Sequence, residues 1–394
     1  MTHDARLVLV AGALLAAGAA ASLIAARLRL PALVLFLGLG MAIGTDGLGW
    51  IDFADYSRAR LIGTIALVLI LFEGGLAAEF REIRPVLRPS LLLAVVGTVV
   101  TAAIAGLVAW RLFDFSLEES ILLGAILSPT DGAAVFALLR ATRLPQRLGR
   151  TLEAEAGFND PVAVLLVLTM INVIKGPGYG AGDVALFLLR EVGIGIAVGC
   201  TIGMVAVFVF RRLGDAPPAL LLVGSFASAA LSYGAAAVAE GSGFLAVYLT
   251  GLALGGVHLP AKPAIRAFHE GLASVAEMGM FLALGLLVFP SQLGDVFVKG
   301  TLLALVVVLL ARPVSVALAT AGSELTRPER ILVGWAGLRG AVPVVLATFP
   351  VIDAIPRSLE FFNIVFFAVL LSTTIQGTTI EPLARRLRIA VGSA

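Results

Sequence analysis

Hydrophobic residues in this chain come in long uninterrupted runs, not in the two- or three-to-four-residue alternation of a half-exposed strand or helix. Thirteen apolar stretches can be marked, at roughly 6–27, 31–47, 59–78, 89–112, 118–139, 147–174, 183–210, 217–239, 243–257, 263–289, 297–318, 328–350 and 359–384. Most have the length needed to span a hydrocarbon core of ~30 Å at ~1.5 Å per helical residue. The pattern predicts an all-α polytopic membrane protein of about 13 transmembrane helices. The second and ninth stretches are short.

Two stretches are interrupted by residues that end helices. The fifth carries Ser128-Pro129-Thr130-Asp131-Gly132 and the twelfth Gly337-Leu338-Arg339-Gly340-Ala341-Val342-Pro343. Backbone groups freed at such breaks must be satisfied by protein, water or ions. The breaks lie seven stretches apart, which predicts two related halves arranged as inverted repeats, each with a broken helix.

Composition agrees with the pattern. Of 394 residues, 59% are hydrophobic and 14% charged, and the mean hydropathy is +1.03. No soluble domain of this size has that balance. The net charge of +2 suggests no nucleic-acid partner. Cys200 is the one cysteine, so no intrachain disulfide is possible. His3, His258 and His269 are expected near membrane boundaries and form no metal cluster. The first stretch is expected to be a retained helix. Of 28 lysines and arginines, 18 fall on one side of the alternating loops. The positive-inside rule then puts the C-terminus in the cytoplasm and the N-terminus outside. The whole of 1–394 is expected to be one integral membrane transporter domain. The chain ends about ten residues after Glu381, and no soluble regulatory domain is expected.

The candidate chemistry lies in charges at membrane depth. Asp160 is ten residues beyond Arg150, ~15 Å along a helix. An ionised carboxylate there costs roughly 2.5–3.5 kcal/mol on insertion scales. A proton or a metal cation can neutralise it, and competition between the two for one carboxylate is itself an exchange mechanism; the alternative is a structural carboxylate held by an arginine. Asn159 beside it offers a neutral carbonyl ligand or a structural hydrogen bond. With Asn in place of a second Asp the site has one proton carrier, which predicts electroneutral exchange of a monovalent cation. Glu155 is five residues earlier, about 140° round the helix, and is expected to form a structural ion pair with Arg312. Asp131 either caps freed amides or balances Arg339 across the two breaks. Thr130 offers a carbonyl or hydroxyl oxygen to a cation. Glu73, in Phe72-Glu73-Gly74-Gly75-Leu76, suits a pathway or water-mediated ligand role as well as a structural one. Glu277 is mid-stretch with no assigned role. Arg190-Glu191 is expected to snorkel or pair locally, and Gly193, Gly195, Gly199 and Gly203 to serve close helix packing.

These residues together resemble the cation:proton antiporter-1 family, in its NhaP-type bacterial branch. The matching pieces are 72–76, 128–131, 155–161, Arg312-Pro313 and 337–343, in the family's order across most of the chain. The stretches around 271–291 and 361–377 are similar to the potassium/proton antiporters linked to cell-volume control. The resemblance implies 13 helices in the NhaA/NhaP-like antiporter fold, with a core domain interleaved with a dimerisation domain, a homodimer in the bacterial cytoplasmic (inner) membrane, and elevator-like alternating access. It implies a shared cation and proton site at Asp160 with Asn159, Thr130, Asp131 and Glu73 near it, structural charges at Glu155, Arg312 and Arg339, and no cofactor beyond the transported K⁺ or Na⁺ and H⁺. The resemblance favours K⁺ over Na⁺. There are two departures. The family usually has Ser after the Glu of the 155–161 motif, where this chain has Ala156, so a hydroxyl ligand must be replaced by water or a backbone carbonyl. The potassium-linked subgroup also usually carries a C-terminal cytosolic region. Two readings from other classes are a passive cation channel, against which the lack of a repeated filter-like loop argues, and an intramembrane aspartyl protease using Asp131 and Asp160. Their Arg, Asn and Pro context suits a broken-helix ion site better.

Overall fold

In hydrocarbon each backbone amide and carbonyl needs a partner from the chain itself, and uninterrupted apolar runs meet that need as helices. The computed structural model describes residues 2–28, 31–53, 55–78, 83–131, 144–176, 178–213, 216–259 and 261–389. Fourteen helical elements position the site: α1 Thr2–Leu28, α2 Ala32–Ile43, α3 Tyr56–Ala77, α4 Arg84–Leu112, α5 Leu117–Ile126, α6 Gln146–Lys175, α7 Ala181–Arg212, α8 Pro218–Val238, α9 Gly243–Gly255, α10 Lys262–Leu286, α11 Val296–Ala319, α12 Arg327–Trp335, α13 Ala341–Ile352 and α14 Ser358–Arg386. Among the described residues there is no strand. Eight of these helices are long and apolar enough to cross a membrane, and α2, α9 and α13 are shorter apolar helices.

The two halves repeat one order of features. A helix with a π-turn comes first: Leu93–Gly97 in α4 and Val307–Ala311 in α11. A broken helix follows. α5 opens on a Ser116/Glu119 capping box and stops at Ile126, and α12 opens on a Thr326/Glu329 capping box and stops at Trp335. Extended backbone follows both, and α13 resumes after Gly340. The fifth stretch beyond Asp131 lies outside the described residues, as do Arg29, Arg81, Arg140 and Arg143 of the charge asymmetry. A long helix closes each half, α6 and α14.

The helices pack as two sets. α1–α3 and α7–α10 pack mainly on one another, and α4–α6 and α11–α14 do likewise. Within a set, glycines bring backbones together. A β-carbon on Gly251 of α9 would lie 2.5 Å from the Phe72 carbonyl of α3, and one on Gly285 of α10 2.5 Å from the Leu37 carbonyl of α2. Gly195, Gly199 and Gly203 of α7 do face α9, as close packing predicts, whereas Gly193 meets nothing within 4 Å. Arg190 pairs with Glu240 in the turn between α8 and α9, and its charge also acts on the neighbouring Glu191. Contacts between the sets are fewer and run chiefly through α3 with α13, and α6 with α9.

Candidate functional site

The two breaks cross. The Asp131 amide donates to the Leu338 carbonyl at 2.8 Å, joining them backbone to backbone. Side chains of α14 hold the 337–340 segment: Ser372 Oγ accepts from the Arg339 amide (3.0 Å), Thr373 Oγ1 donates to the Arg339 carbonyl (2.8 Å) and Gln376 Nε2 donates to the Trp335 carbonyl (2.9 Å). These bonds satisfy backbone groups of Trp335, Leu338 and Arg339 within the protein. Two glycines of this motif make room for charges. A β-carbon on Gly340 would overlap the Asp131 carboxylate, and one on Gly337 would lie 2.9 Å from Cδ of Arg312.

α6 brings Asn159 and Asp160 to the crossing. Asn159 Nδ2 donates to Thr130 Oγ1 at 2.5 Å. The Thr130 hydroxyl accepts that bond and keeps one lone pair, so both it and the backbone carbonyl are oxygens that a cation could use. Asp160 is 7% exposed. Its Oδ1 and the Oδ1 of Asn159 are buried without a hydrogen-bond donor among the described residues. Among the described residues no cationic nitrogen lies within 4 Å of the Asp160 carboxylate. Pro161 is inside α6 and has no amide to give to the carbonyl four residues back, which is that of Gly157. That oxygen is freed one turn before Asp160, beside Ala156, where the expected hydroxyl is missing.

The other candidates are placed as follows. Glu155 and Arg312 form the expected ion pair, 2.6 Å apart and almost fully buried. Arg339 differs from expectation. It makes no ion pair with Asp131 within 4 Å; its Nη1 donates instead to the carbonyls of Ser128 (2.7 Å) and Pro129 (2.8 Å). The carbonyl end of α5 is a negative helix terminus, and the guanidinium caps it as a cation should. Asp131 still lies within electrostatic range of Asp160. Glu277, unassigned from sequence alone, lies on α10 within electrostatic range of both Asp131 and Glu73. The site thus gathers carboxylates from α3, α6, α10 and the α5 break. His269, in the first turns of α10, is wholly buried, with Nε2 2.9 Å from Ser225 Oγ and its ring 4.6 Å from that of Phe72. Among the described residues no group of three or more His, Cys, Asp and Glu is arranged to hold a metal ion.

Such an arrangement suits a monovalent cation held by a few hard oxygens, or a proton on the same carboxylate. Comparison with known proteins agrees with that chemistry. A family model described as "Sodium/hydrogen exchanger, transmembrane" matches residues 11–386. A K(+)/H(+) antiporter NhaP of Alkalimonas amylolytica is 40% identical over 388 residues, covering 98% of this chain and 67% of its own length. A K(+)/H(+) antiporter NhaP2 of Shewanella baltica is 36% identical, covering 97% and 66%. This chain thus spans about two thirds of the length of those relatives. A Na(+)/H(+) antiporter NhaH of Halobacillus dabanensis is 29% identical, covering 95% of this chain and 96% of its own. The solved structure of the sodium proton antiporter MjNhaP1 from Methanocaldococcus jannaschii shares the fold, with a TM-score of 0.83 at 24% identity over 96% of this chain and 98% of that one. With its crossed broken helices, buried Asp160 and match over nearly its whole length, this multi-pass membrane chain belongs to the sodium/hydrogen exchanger family.

Proposed function

We propose that the chain exchanges a monovalent cation for a proton at Asp160, electroneutrally and by alternating access. One observation carries the reading: a buried carboxylate at the helix crossing has no cation of its own within 4 Å among the described residues. Its charge is neutralised by what it transports. A proton on Asp160 and a cation on Asp160 exclude each other, and that exclusion couples the two fluxes. Because Asn159 carries no charge, one proton exchanges for one monovalent cation. The Thr130 carbonyl, the Asn159 amide oxygen and the Gly157 carbonyl freed by Pro161 are further oxygen ligands. Asp131, Glu73 and Glu277 draw cations towards the crossing. Glu155 with Arg312, and Arg339 on its carbonyls, hold the crossing together.

K⁺ is the favoured cation, since relatives at 36–40% identity are named K(+)/H(+) antiporters; Na⁺ is the alternative, favoured by NhaH. The set α4–α6 with α11–α14 would be the moving core, and α1–α3 with α7–α10 the dimerisation domain of a homodimer. The protein would lie in the bacterial inner membrane with its N-terminus outside and its C-terminus in the cytoplasm, so that Arg150 is on the cytoplasmic side.

The test uses purified protein in liposomes with an imposed pH gradient. Adding K⁺ or Na⁺ should collapse the gradient without a membrane potential. Collapse that depends on a potential set with valinomycin contradicts electroneutrality. The two cations compared at one pH decide the preference.

A further inference from the structure

We propose that two contacts between the helix sets, Gly157 with Tyr248 and Gly63 with Val345, are the closures of the ion path on the two sides of Asp160. This rests on the exchange reading above and adds to it the residues that gate access.

The first closure lies on the Arg150 side. Arg150, Glu153, Gly157 and Asp160 follow one another at steps of three, four and three, so they share one face of α6. Arg150 and Glu153 pair at 2.7 Å, with 25% and 13% of their side chains exposed. Further along the face, burial is complete enough to leave Asp160 only 7% exposed. Where the face passes Gly157, α9 delivers Tyr248. A β-carbon on Gly157 would lie 2.6 Å from Cζ and Oη of that ring. The ring also stands edge-on to Phe158 with centroids 5.0 Å apart, and Tyr248 is 1% exposed. Its hydroxyl feels the charge of Glu153. Gly157 is one turn, ~4.5 Å, before Asp160. Tyr248 thus stops the face immediately short of the carboxylate.

The second closure lies on the opposite side. The start of α3 and the end of α13 border an open cavity of about 580 Å³, lined by Asp52, Asp55, Tyr56, Ser57, Val351 and Ile352. Six residues further in along each helix, about 9 Å, Gly63 meets Val345. A β-carbon on Gly63 would lie 2.8 and 2.9 Å from the two Val345 methyls, and Val345 is wholly buried. One turn above, Arg60 lies over the Phe349 ring at 5.6 Å.

The two contacts differ in kind from the backbone-to-backbone seams that join helices within a set. Gly75 meets the backbone of Tyr248 and Leu252, and Gly40 that of Leu282 and Gly285. Those backbones cannot part without unpacking the helix pair. A glycine facing a side chain is released by one rotamer change or a small slide. With both closures formed, Asp160 is sealed from both sides; opening them one at a time is what alternating access requires.

The test uses the full chain with Cys200→Ser and Ala156→Cys as reporter, in oriented vesicles treated with a charged methanethiosulfonate reagent from either side. Tyr248→Ala should speed labelling from the Arg150 side by about tenfold or more, as when a state populated at roughly 10% or less becomes dominant. Labelling from the other side should be unchanged. Val345→Ala should do the reverse. Tyr248→Phe, which keeps the ring, should label as slowly as the parent. Gly157→Ala, which wedges the ring away, should repeat the one-sided increase if Tyr248→Ala does not fold. Faster labelling from both sides, or from neither, overturns the proposal. Exchange by the parent protein is measured separately: its absence overturns the exchange reading, whereas exchange with unaltered labelling in Tyr248→Ala overturns the closures alone.

Discussion

Glu155 and Asp160 are carboxylates five residues apart on one helix, and both are buried, yet their surroundings are opposite. Glu155 has Arg312 at 2.6 Å. Asp160 has a crossing of broken helices, an amide neighbour and the Asp131 carboxylate within electrostatic range. A buried charge with a counter-charge built in is fixed in one state, because removing either partner strands the other. A buried carboxylate without one must take its counter-charge from solution, and that dependence makes it a transport site. The same helix thus carries one charge that holds the fold and one that does the exchange.

The comparison can be broken at several points. The largest expected effect on stability is that of Arg312→Met, which strands Glu155 and should cost about 3–5 kcal/mol, read as a lower unfolding midpoint in detergent. Adding Glu155→Gln should restore most of it. A single variant as stable as the parent would mean that Arg312 does not hold Glu155. Next is Gly337→Ala, whose methyl would meet the Arg312 side chain and should cost about 1–3 kcal/mol by overpacking. That cost should shrink in the Arg312→Met background, because the two sites touch; purely additive effects would contradict the contact. Gln376→Leu leaves the Trp335 carbonyl without its 2.9 Å donor and should cost about 1–2 kcal/mol, with the break beside Arg339 losing protection in hydrogen exchange.

The smallest effect concerns a carboxylate held in a third way. Asp46, exposed in the loop after α2, accepts from the Ser291 amide at 2.8 Å. That bond and one from the Ser291 side chain hold its carboxyl below the ordinary range. Because the folded value is depressed, its contribution is present at neutral pH and fades as pH falls below about 4. Asp46→Asn should remove a slight acid-side decline in the thermal midpoint; an unchanged decline would assign it elsewhere.

Much of this site was legible in the sequence because depth along a helix follows from residue counting. The depth of Asp160 comes from that count, and the two breaks come from the Pro and Gly residues that interrupt apolar stretches. Azimuth and choice of partner do not. From the sequence Asp131 either caps freed amides or balances Arg339; Arg339 donates to the carbonyls of Ser128 and Pro129, which side-chain charges alone do not reveal. Ser372, Thr373 and Gln376 are spaced to share a face of α14, a signal that their apolar surroundings obscured. Glu277 and Tyr248 gain meaning only when α10 and α9 are packed against α3 and α6. His269 packs between Phe72 of α3 and Ser225 of α8, a burial that residue counting does not reveal.

The most direct test of the central claim compares the two carboxylates in one assay. Cation-driven collapse of a pH gradient is measured in liposomes for Asp160→Asn and for the double variant Glu155→Gln, Arg312→Met. The account predicts that the double variant still exchanges, because it replaces one neutral buried pair with another. It predicts that Asp160→Asn shows no exchange at any cation concentration while folding as the parent does. Exchange surviving in Asp160→Asn would contradict it.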